Sequence, residues 1–234
     1  MKFTISIITH SALAQAKRCI QSVLEHSPKD DIELILTANR NPAVSEAFRD
    51  IGFLFKHCRV VENTHNLGFI EPNKTALEMA SGRYFVMLND DATVPEGWLD
   101  ALEAPFLTDQ RCAVTGPVGC VLNKEFVGYH CTQYPEYIEG SCLCVRTDIA
   151  RQFGLFAPYL SFAYCEDADL CLRLREAGFT VRLADFKLQH TGSSTSSLIP
   201  GIREMVLPNF VKCRDRWAEY LGSNDRLFPV ESVK

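Results

Sequence analysis

The feature that most constrains this chain is an alternation repeated four times in its first hundred residues, a short apolar run followed by an amphipathic one. Phe3–Thr9 is apolar and β-branched nearly throughout, the pattern of a strand buried on both faces of a parallel sheet. From residue 12, apolar side chains recur at 16, 19, 20, 23 and 24 while Lys17, Arg18, Gln21 and Glu25 take the opposite side. This predicts a helix that Ser27-Pro28 ends. The pattern continues with a strand at Ile32–Leu36, a helix over 44–54, a strand at Arg59–Glu62 and a helix over Pro72–Ala80. A strand at Tyr84–Leu88 follows, then a helix from Pro95 through Leu102. Short crossovers of this kind give a right-handed, open, parallel sheet whose ligands sit beyond the carboxyl ends of its strands. Asn89-Asp90-Asp91 stands at such an end.

The second half reads differently. Short strands are expected at Ala113–Thr115 and Ser141–Val145, a helix from Thr147, and a helix over Glu166–Ala177 with an acidic first turn, closed by Gly178. A strand over Phe179–Leu183 precedes His190, Thr191–Ser197 is a small polar loop, and Ile202–Leu221 is helical with an interruption at Pro208. At 234 residues and 26.3 kDa the chain has room for one well-filled core. The expected organisation is a single α/β domain over 1–221, with halves at 1–104 and 105–200, a helical segment at 201–221 and a tail at 222–234.

Composition narrows the function classes. With 24 Lys and Arg against 29 Asp and Glu, no positive field exists to attract duplex nucleic acid. No apolar run approaches the ~20 residues that span a bilayer, and Met-Lys-Phe-Thr is too polar to open a signal peptide, so a soluble, cytoplasmic protein is expected. Ten cysteines without a Cys-x-x-Cys pair read as buried reduced thiols rather than as a disulfide framework or a zinc knuckle.

Three features carry chemistry, each with a bland alternative. Asp90 and Asp91 after an apolar strand repel one another unless a cation sits between them, but the same residues suit an Asx turn or a helix N-cap. Glu166-Asp167-x-Asp169 follows the aromatic segment Tyr159–Tyr164. A carboxylate desolvated there is fit to take a proton from a hydroxyl, yet acids at a helix start also simply complement its dipole. His190 alone says little. Carboxylates and an imidazole at strand ends, with a small-residue loop after them, are together what a metal–diphosphate site requires.

The blocks Glu62-Asn-Thr-His-Asn-Leu-Gly-Phe69, Pro72-Asn-Lys-Thr-Ala76, Ala80-Ser-Gly-Arg-Tyr84, Leu88-Asn-Asp-Asp91 and Val94-Pro-Glu-Gly-Trp98 resemble an inverting glycosyltransferase of family 2. Glu139-Gly-Ser-Cys-Leu-Cys-Val-Arg146, Glu166-Asp-Ala-Asp-Leu-Cys-Leu-Arg173 and Gln189-His-Thr-Gly192 extend the match to about residues 3–195. The Asn-Leu-Gly-Phe block resembles the rhamnosyltransferase-like branch. The resemblance implies a GT-A, nucleotide-diphospho-sugar transferase fold: a Rossmann-like, open, mostly parallel sheet flanked by helices. It implies a nucleotide-diphosphate sugar donor and a carbohydrate or glycoconjugate acceptor. It also implies Mn²⁺ or Mg²⁺ held by Asp91 and His190, and Asp167 as base with Glu166 as the second candidate. Thr9, Asn39, Asn66, Gly68, Asn73, Asn89 and Asp90 fall where the family binds its donor. Asn89 replaces the first Asp of the family's Asp-x-Asp motif, and Ala38 stands where the family commonly has the Asp of Val-Asp-Asn-Gly-Ser.

Two rivals remain at this level. A sugar-phosphate nucleotidyltransferase needs a Gly-rich basic loop after the first strand, where this chain has Thr9-His-Ser-Ala-Leu-Ala14. A non-catalytic nucleotide- or sugar-binding module of the same fold is the other. Tyr129, Tyr134, Tyr137, Phe156, Tyr159 and Phe162 either stack on acceptor sugars or fill a core. Arg203, Lys212, Arg214 and Arg216 suit either a peripheral membrane contact or a solvated face.

Overall fold

The computed structural model describes residues 1–131, 133–192 and 199–223. Its centre is a seven-stranded sheet in the order β11-β6-β10-β4-β1-β2-β3. In chain order these are β1 (Phe3–Thr9), β2 (Ile32–Asn39), β3 (Cys58–Asn63), β4 (Tyr84–Asn89), β6 (Cys112–Gly116), β10 (Cys142–Arg146) and β11 (Thr180–Leu183). β1 runs parallel to β2 and β4, with Ile7 opposite Leu36 and Leu88, and β3 continues parallel to β2. β10 is antiparallel to both of its neighbours, and β11 is parallel to β6. The sheet is therefore mostly parallel, with one reversed strand behind the Asn89-Asp90-Asp91 end.

The period of two along each strand divides the core between the two faces. Tyr84, Val86 and Leu88 of β4 join Ile5, Ile7, Leu34 and Leu36 beneath α1 (Leu13–Glu25), α2 (Pro42–Leu54) and α4 (Trp98–Thr108). Phe85 and Met87 turn the other way and pack with Leu143 and Val145 of β10. Over that face lie α3 (Ile70–Met79), α5 (Thr147–Phe153), α6 (Glu166–Glu176), α7 (Ile202–Arg216) and α8 (Ala218–Gly222). All ten cysteines are free and eight are buried, acting as small apolar side chains.

Several boundaries differ from the sequence expectation for identifiable reasons. α3 starts at Ile70 rather than Pro72, because the Phe162 carbonyl accepts both Phe69 N–H and Ile70 N–H and so caps the first turn from across the fold. α4 starts at Trp98 rather than Pro95. Val94 N–H is held by the Ser22 hydroxyl and Val94 C=O by His26, which keeps this stretch extended until Gly97 turns the chain at φ 76°. α4 then runs past Leu102, through Pro105, to Thr108. α7 passes through Pro208 without a break and is interrupted instead at Trp217. The expected polar loop falls mainly at 193–197, outside the described residues, as does the tail from 224.

Two small sheets complete the frame. β5 (Ala92–Thr93) pairs antiparallel with β12 (Gln189–His190), and β7 (Gly119–Leu122) is flanked by β8 (Gly128–Cys131) and β9 (Tyr137–Ile138). Both stand at the strand-end side of the central sheet and line the cleft described next.

Candidate active site

The cleft has a volume of about 630 Å³. Its floor is the end of β4. The β5–β12 ladder sets His190 opposite Ala92, one residue past Asp91, and Thr191 N–H donates to the Asp91 carbonyl. His190 Nε2 thereby comes 3.0 Å from Asp91 Oδ1 and 3.3 Å from the Asn89 amide nitrogen. A hundred residues of chain separate partners that the sequence could only name singly. The hydrogen bond to Asp91 raises the pKa of His190, with the acidic neighbours adding to it. Burial pushes Asp90 up to about 7, the adjacent Asp91 charge adds to the rise, and the Thr9 hydroxyl opposes it. Asp90 Oδ2 is buried without a hydrogen-bond partner. The Asp91 carboxylate meeting the His190 imidazole, beside the unpartnered Asp90 Oδ2 at a buried strand end, is a donor set that fits a divalent cation such as Mn²⁺ or Mg²⁺.

Across the cleft, the three acids of the first turn of α6 have three different surroundings. Asp169 is fully buried and accepts from Tyr159 Oη–H, Trp217 Nε1 and Arg173 Nε, so it braces the fold. Asp167 is half-buried and reaches the cleft, with Oδ2 accepting Gly140 N–H at 2.9 Å and Oδ1 accepting Ala168 N–H at 2.7 Å. Those two bonds fix the carboxylate plane and leave a lone pair on each oxygen. Glu166 is buried, and its Oε2 has no partner. Burial raises both pKa values; the Asp167 charge adds to the rise of Glu166, while the Gly140 and Ala168 N–H bonds oppose that of Asp167 and the Glu139 charge adds to it. Glu166, the more enclosed of the pair, is the one suited to keep a proton at neutral pH.

At the ends of β2 and β3, Asn39 is a hub. Its Nδ2 donates to Asn66 Oδ1 and the Gly68 carbonyl, while its Oδ1 accepts from Asn63 Nδ2 and Leu67 N–H. Asn66 Oδ1 also accepts Gly68 N–H. Asn39, Asn66 and Gly68 all line the cleft, but the Asn39 amide is occupied with shaping the 63–68 loop. Gly68 has φ 74°, and a Cβ there would lie 2.3 Å from the Phe162 carbonyl oxygen, so this glycine permits a backbone contact across the cleft. Thr9 and Asn73 are fully buried and do not line the cleft. Asn73 accepts from Ser6 Oγ and donates to the Phe69 carbonyl, tying α3 to β1.

Residues outside the expected catalytic, donor and metal set complete the site. Glu139 stands 3.8 Å from His190 Nδ1, on the side of the ring away from Asp91. The block containing Glu139 and Gly140 was visible, but nothing in its spacing signalled these contacts. Phe162, Tyr164 and Cys165 all have positive φ, an unfavourable conformation for residues with a Cβ. Asn209 of α7 supports them by accepting Ser161 N–H and donating to the carbonyls of Ser161, Ala163 and Tyr164. An asparagine within a helical stretch was its only sequence signal, and its complete burial is not readable from one sequence.

The model of the family described as Glycosyl transferase family 2 matches residues 4–160. The chain belongs to glycosyl transferase family 2. No curated protein matches it. Among solved structures, GalNAc-T7 with UDP, GalNAc and Mn²⁺ superposes with TM-score 0.76 at 14% identity, over 94% of this chain and 50% of that one. The mannosyltransferase PcManGT from Pyrobaculum calidifontis, in complex with GDP-Man and Mn²⁺, gives 0.63 at 16%, over 78% and 54%. S. aureus TarS 1-349 in complex with UDP-GlcNAc gives 0.68 at 13%, over 96% and 68%. The chain thus spans about half the length of the first two. At these identities the likeness is one of fold, and the fold is GT-A.

In this family 2 domain the six aromatics singled out in the second half divide clearly. Phe156 is buried in the core and Tyr159 packs against it, Tyr137 and Phe162 form cleft wall, and Tyr129 and Tyr134 are exposed away from the cleft. Among the basic residues of α7, Lys212 donates to the Tyr159 carbonyl, Arg214 pairs with Asp215, and Arg216 pairs with Glu176 and lies over Trp217. Among the described residues no helix is long and apolar enough to cross a membrane.

Proposed function

We propose that this domain transfers a sugar from a nucleotide-diphosphate donor to a hydroxyl of a carbohydrate or glycoconjugate by a single inverting displacement. Its divalent cation, Mn²⁺ or Mg²⁺, would be held by Asp91 and His190. The observation that carries the reading is that Asp91 of the first half and His190 and Asp167 of the second face one cleft. The neighbours that hold UDP or GDP-Man together with Mn²⁺ support the same reading. The Asn66–Phe69 block supports a hexosyl or deoxyhexosyl donor of the rhamnosyltransferase-like kind. Ten free thiols suit a reducing, cytoplasmic setting.

In the proposed reaction Asp167 takes the proton of the acceptor hydroxyl as that oxygen bonds to the anomeric carbon. The bond from that carbon to the diphosphate oxygen breaks, and its electron pair leaves with the nucleotide. Attack opposite the leaving group inverts the configuration. Gly140 and Ala168 N–H aim the Asp167 carboxylate, and protonated Glu166 spares it a second negative charge at close range. A bound cation would neutralise charge developing on the diphosphate. Asn39 holds the 63–68 loop as one wall of the donor pocket.

The test is nucleotide release from UDP-, dTDP- and GDP-sugars with and without Mn²⁺, with the anomeric configuration of the product read by NMR. The expected result is cation-dependent release, an inverted product, and loss of turnover but not of donor binding in Asp167→Asn. Undiminished turnover in that variant, or a product of retained configuration, would contradict the reading. Donor binding without any turnover in the wild type would favour the non-catalytic module.

A further inference from the structure

We propose that the small β7–β8–β9 sheet carries a second divalent-metal site, thiolate-containing and suited to Zn²⁺, formed by Cys120, His130 and Glu139. Antiparallel pairing sets Cys120 of β7 directly opposite His130 of β8 on one side and Tyr137 of β9 on the other. Directly opposed residues project on the same face of a sheet, and a period of two brings Glu139, two residues past Tyr137, back to that face. Glu139 N–H donates to the Val118 carbonyl, so the pairing continues to this residue. The register alone therefore collects a thiol, an imidazole and a carboxylate on one side of three adjacent segments.

The distances agree. One ligand atom from each residue lies within 4.8 Å of the other two, and His130 Nε2 is 3.2 Å from Glu139 Oε2. Ligands on a tetrahedral Zn²⁺, with bonds of about 2.0–2.3 Å, lie about 3.5 Å apart. Closing this triad onto an ion needs shifts on the order of 1 Å. His130 is free to supply them, its side chain being 75% exposed. Cys120 is buried and reduced, fixed in the sheet beside the Tyr137 hydroxyl, which favours the thiolate. Burial keeps the thiol protonated when no cation is near, so loading releases one proton to solvent as the sulfur–metal bond forms. Three protein ligands leave one position open to water. Among the described residues this is the only group of three or more such side chains with ligand atoms gathered this closely.

The site is separate from the Asp91–His190 pair, because Cys120 and His130 do not line the cleft. Glu139 stands between the two, with Oε2 toward His130 and Oε1 toward His190. An ion here would fasten β7, β8 and the segment after β9 into one rigid wall of the cleft. The donor types are spaced Cys-x9-His-x8-Glu in the sequence, which matches no zinc-finger spacing and becomes a site only through strand register.

The experiment is a Co²⁺ titration of the full chain, kept reduced with a phosphine and followed by absorption, with Zn²⁺ added to compete. The expected result is a near-ultraviolet thiolate-to-cobalt band that saturates at one equivalent and is abolished by Zn²⁺. The band should be lost in Cys120→Ser, kept in Cys131→Ser and Asp91→Ala, and shifted to weaker binding by on the order of tenfold or more in His130→Ala. A protein that develops no thiolate band at saturating Co²⁺, or a band undiminished in Cys120→Ser, would overturn the proposal. Should Cys120→Ser fail to fold, the exposed His130→Ala decides, and an affinity equal to wild type there would also overturn it.

Discussion

In the half of the molecule that precedes residue 105, four parallel strands and their helices form one repeating unit, and the cleft residues stand at strand ends or in the Asn39-held loop just after one. In the half that follows, the central strand β10 runs backwards, and the cleft is built by a loop at 161–165 with three non-glycine residues at positive φ. That loop is held from outside, by four hydrogen bonds from Asn209 and by contact between the Phe162 carbonyl and the Asn66–Phe69 turn. The first half derives its geometry from local periodicity, whereas the second takes it from distant partners. The base candidate Asp167 is on the second side, and its aim depends on Gly140, from a separate segment of the chain, as well as on the start of its own helix.

The sharpest way to probe this contrast is at the α6 acids. Asp167→Asn should lower turnover about 10²- to 10⁴-fold while donor binding persists, whereas Glu166→Gln, which mimics the protonated neighbour, should stay within about tenfold of wild type. Equal losses in steady-state kinetics would erase the distinction between the two. The acid limb of the rate–pH profile belongs with this pair. A base is active only when deprotonated and burial raises the pKa of Asp167, so activity should fall with decreasing pH above the ordinary range for Asp, about 4. An acid limb at that ordinary value would mean a solvated base.

Asn209→Ala leaves three carbonyls and one N–H of the strained loop without their partner. It should cost about 2–4 kcal/mol in denaturant unfolding and lower kcat more than the donor KM. A variant with normal stability and normal kcat would show that the loop holds its own shape. Gly68→Ala tests the seam between the halves, with an expected loss of about 2 kcal/mol or more from left-handed strain and the clash with Phe162. Arg49→Ala removes an exposed pair with Glu62 on the periodic half, and chemical denaturation should register less than about 0.5 kcal/mol.

The same contrast explains what was legible in the sequence. The strands β1 to β4 were readable because apolar runs between amphipathic ones have few other solutions, and their ends were misjudged by only a few residues. The errors came where tertiary partners act on the backbone: the Phe162 carbonyl extends α3, Ser22 and His26 delay α4, and Pro208 is accommodated within α7. At the site, Asp91, His190 and Asp167 were nameable as chemistry-bearing residues, but their meeting was not, since it depends on a two-residue ladder between β5 and β12. Asn39 and Asn73 belong to motif blocks, yet their amides hold loops and strands together. Glu139, Gly140 and Asn209 became visible only when register and burial were known.

The most direct test of the central claim is the thermal stability of the wild type, Asp91→Ala and His190→Ala in the presence of UDP, dTDP or GDP, each with and without Mn²⁺. The account predicts that one nucleotide class stabilises the wild type only when Mn²⁺ is present, by about 2.7 kcal/mol at a hundredfold excess over Kd, and that both variants lose the response. Stabilisation by nucleotide that is indifferent to Mn²⁺, or that survives in both variants, would contradict it.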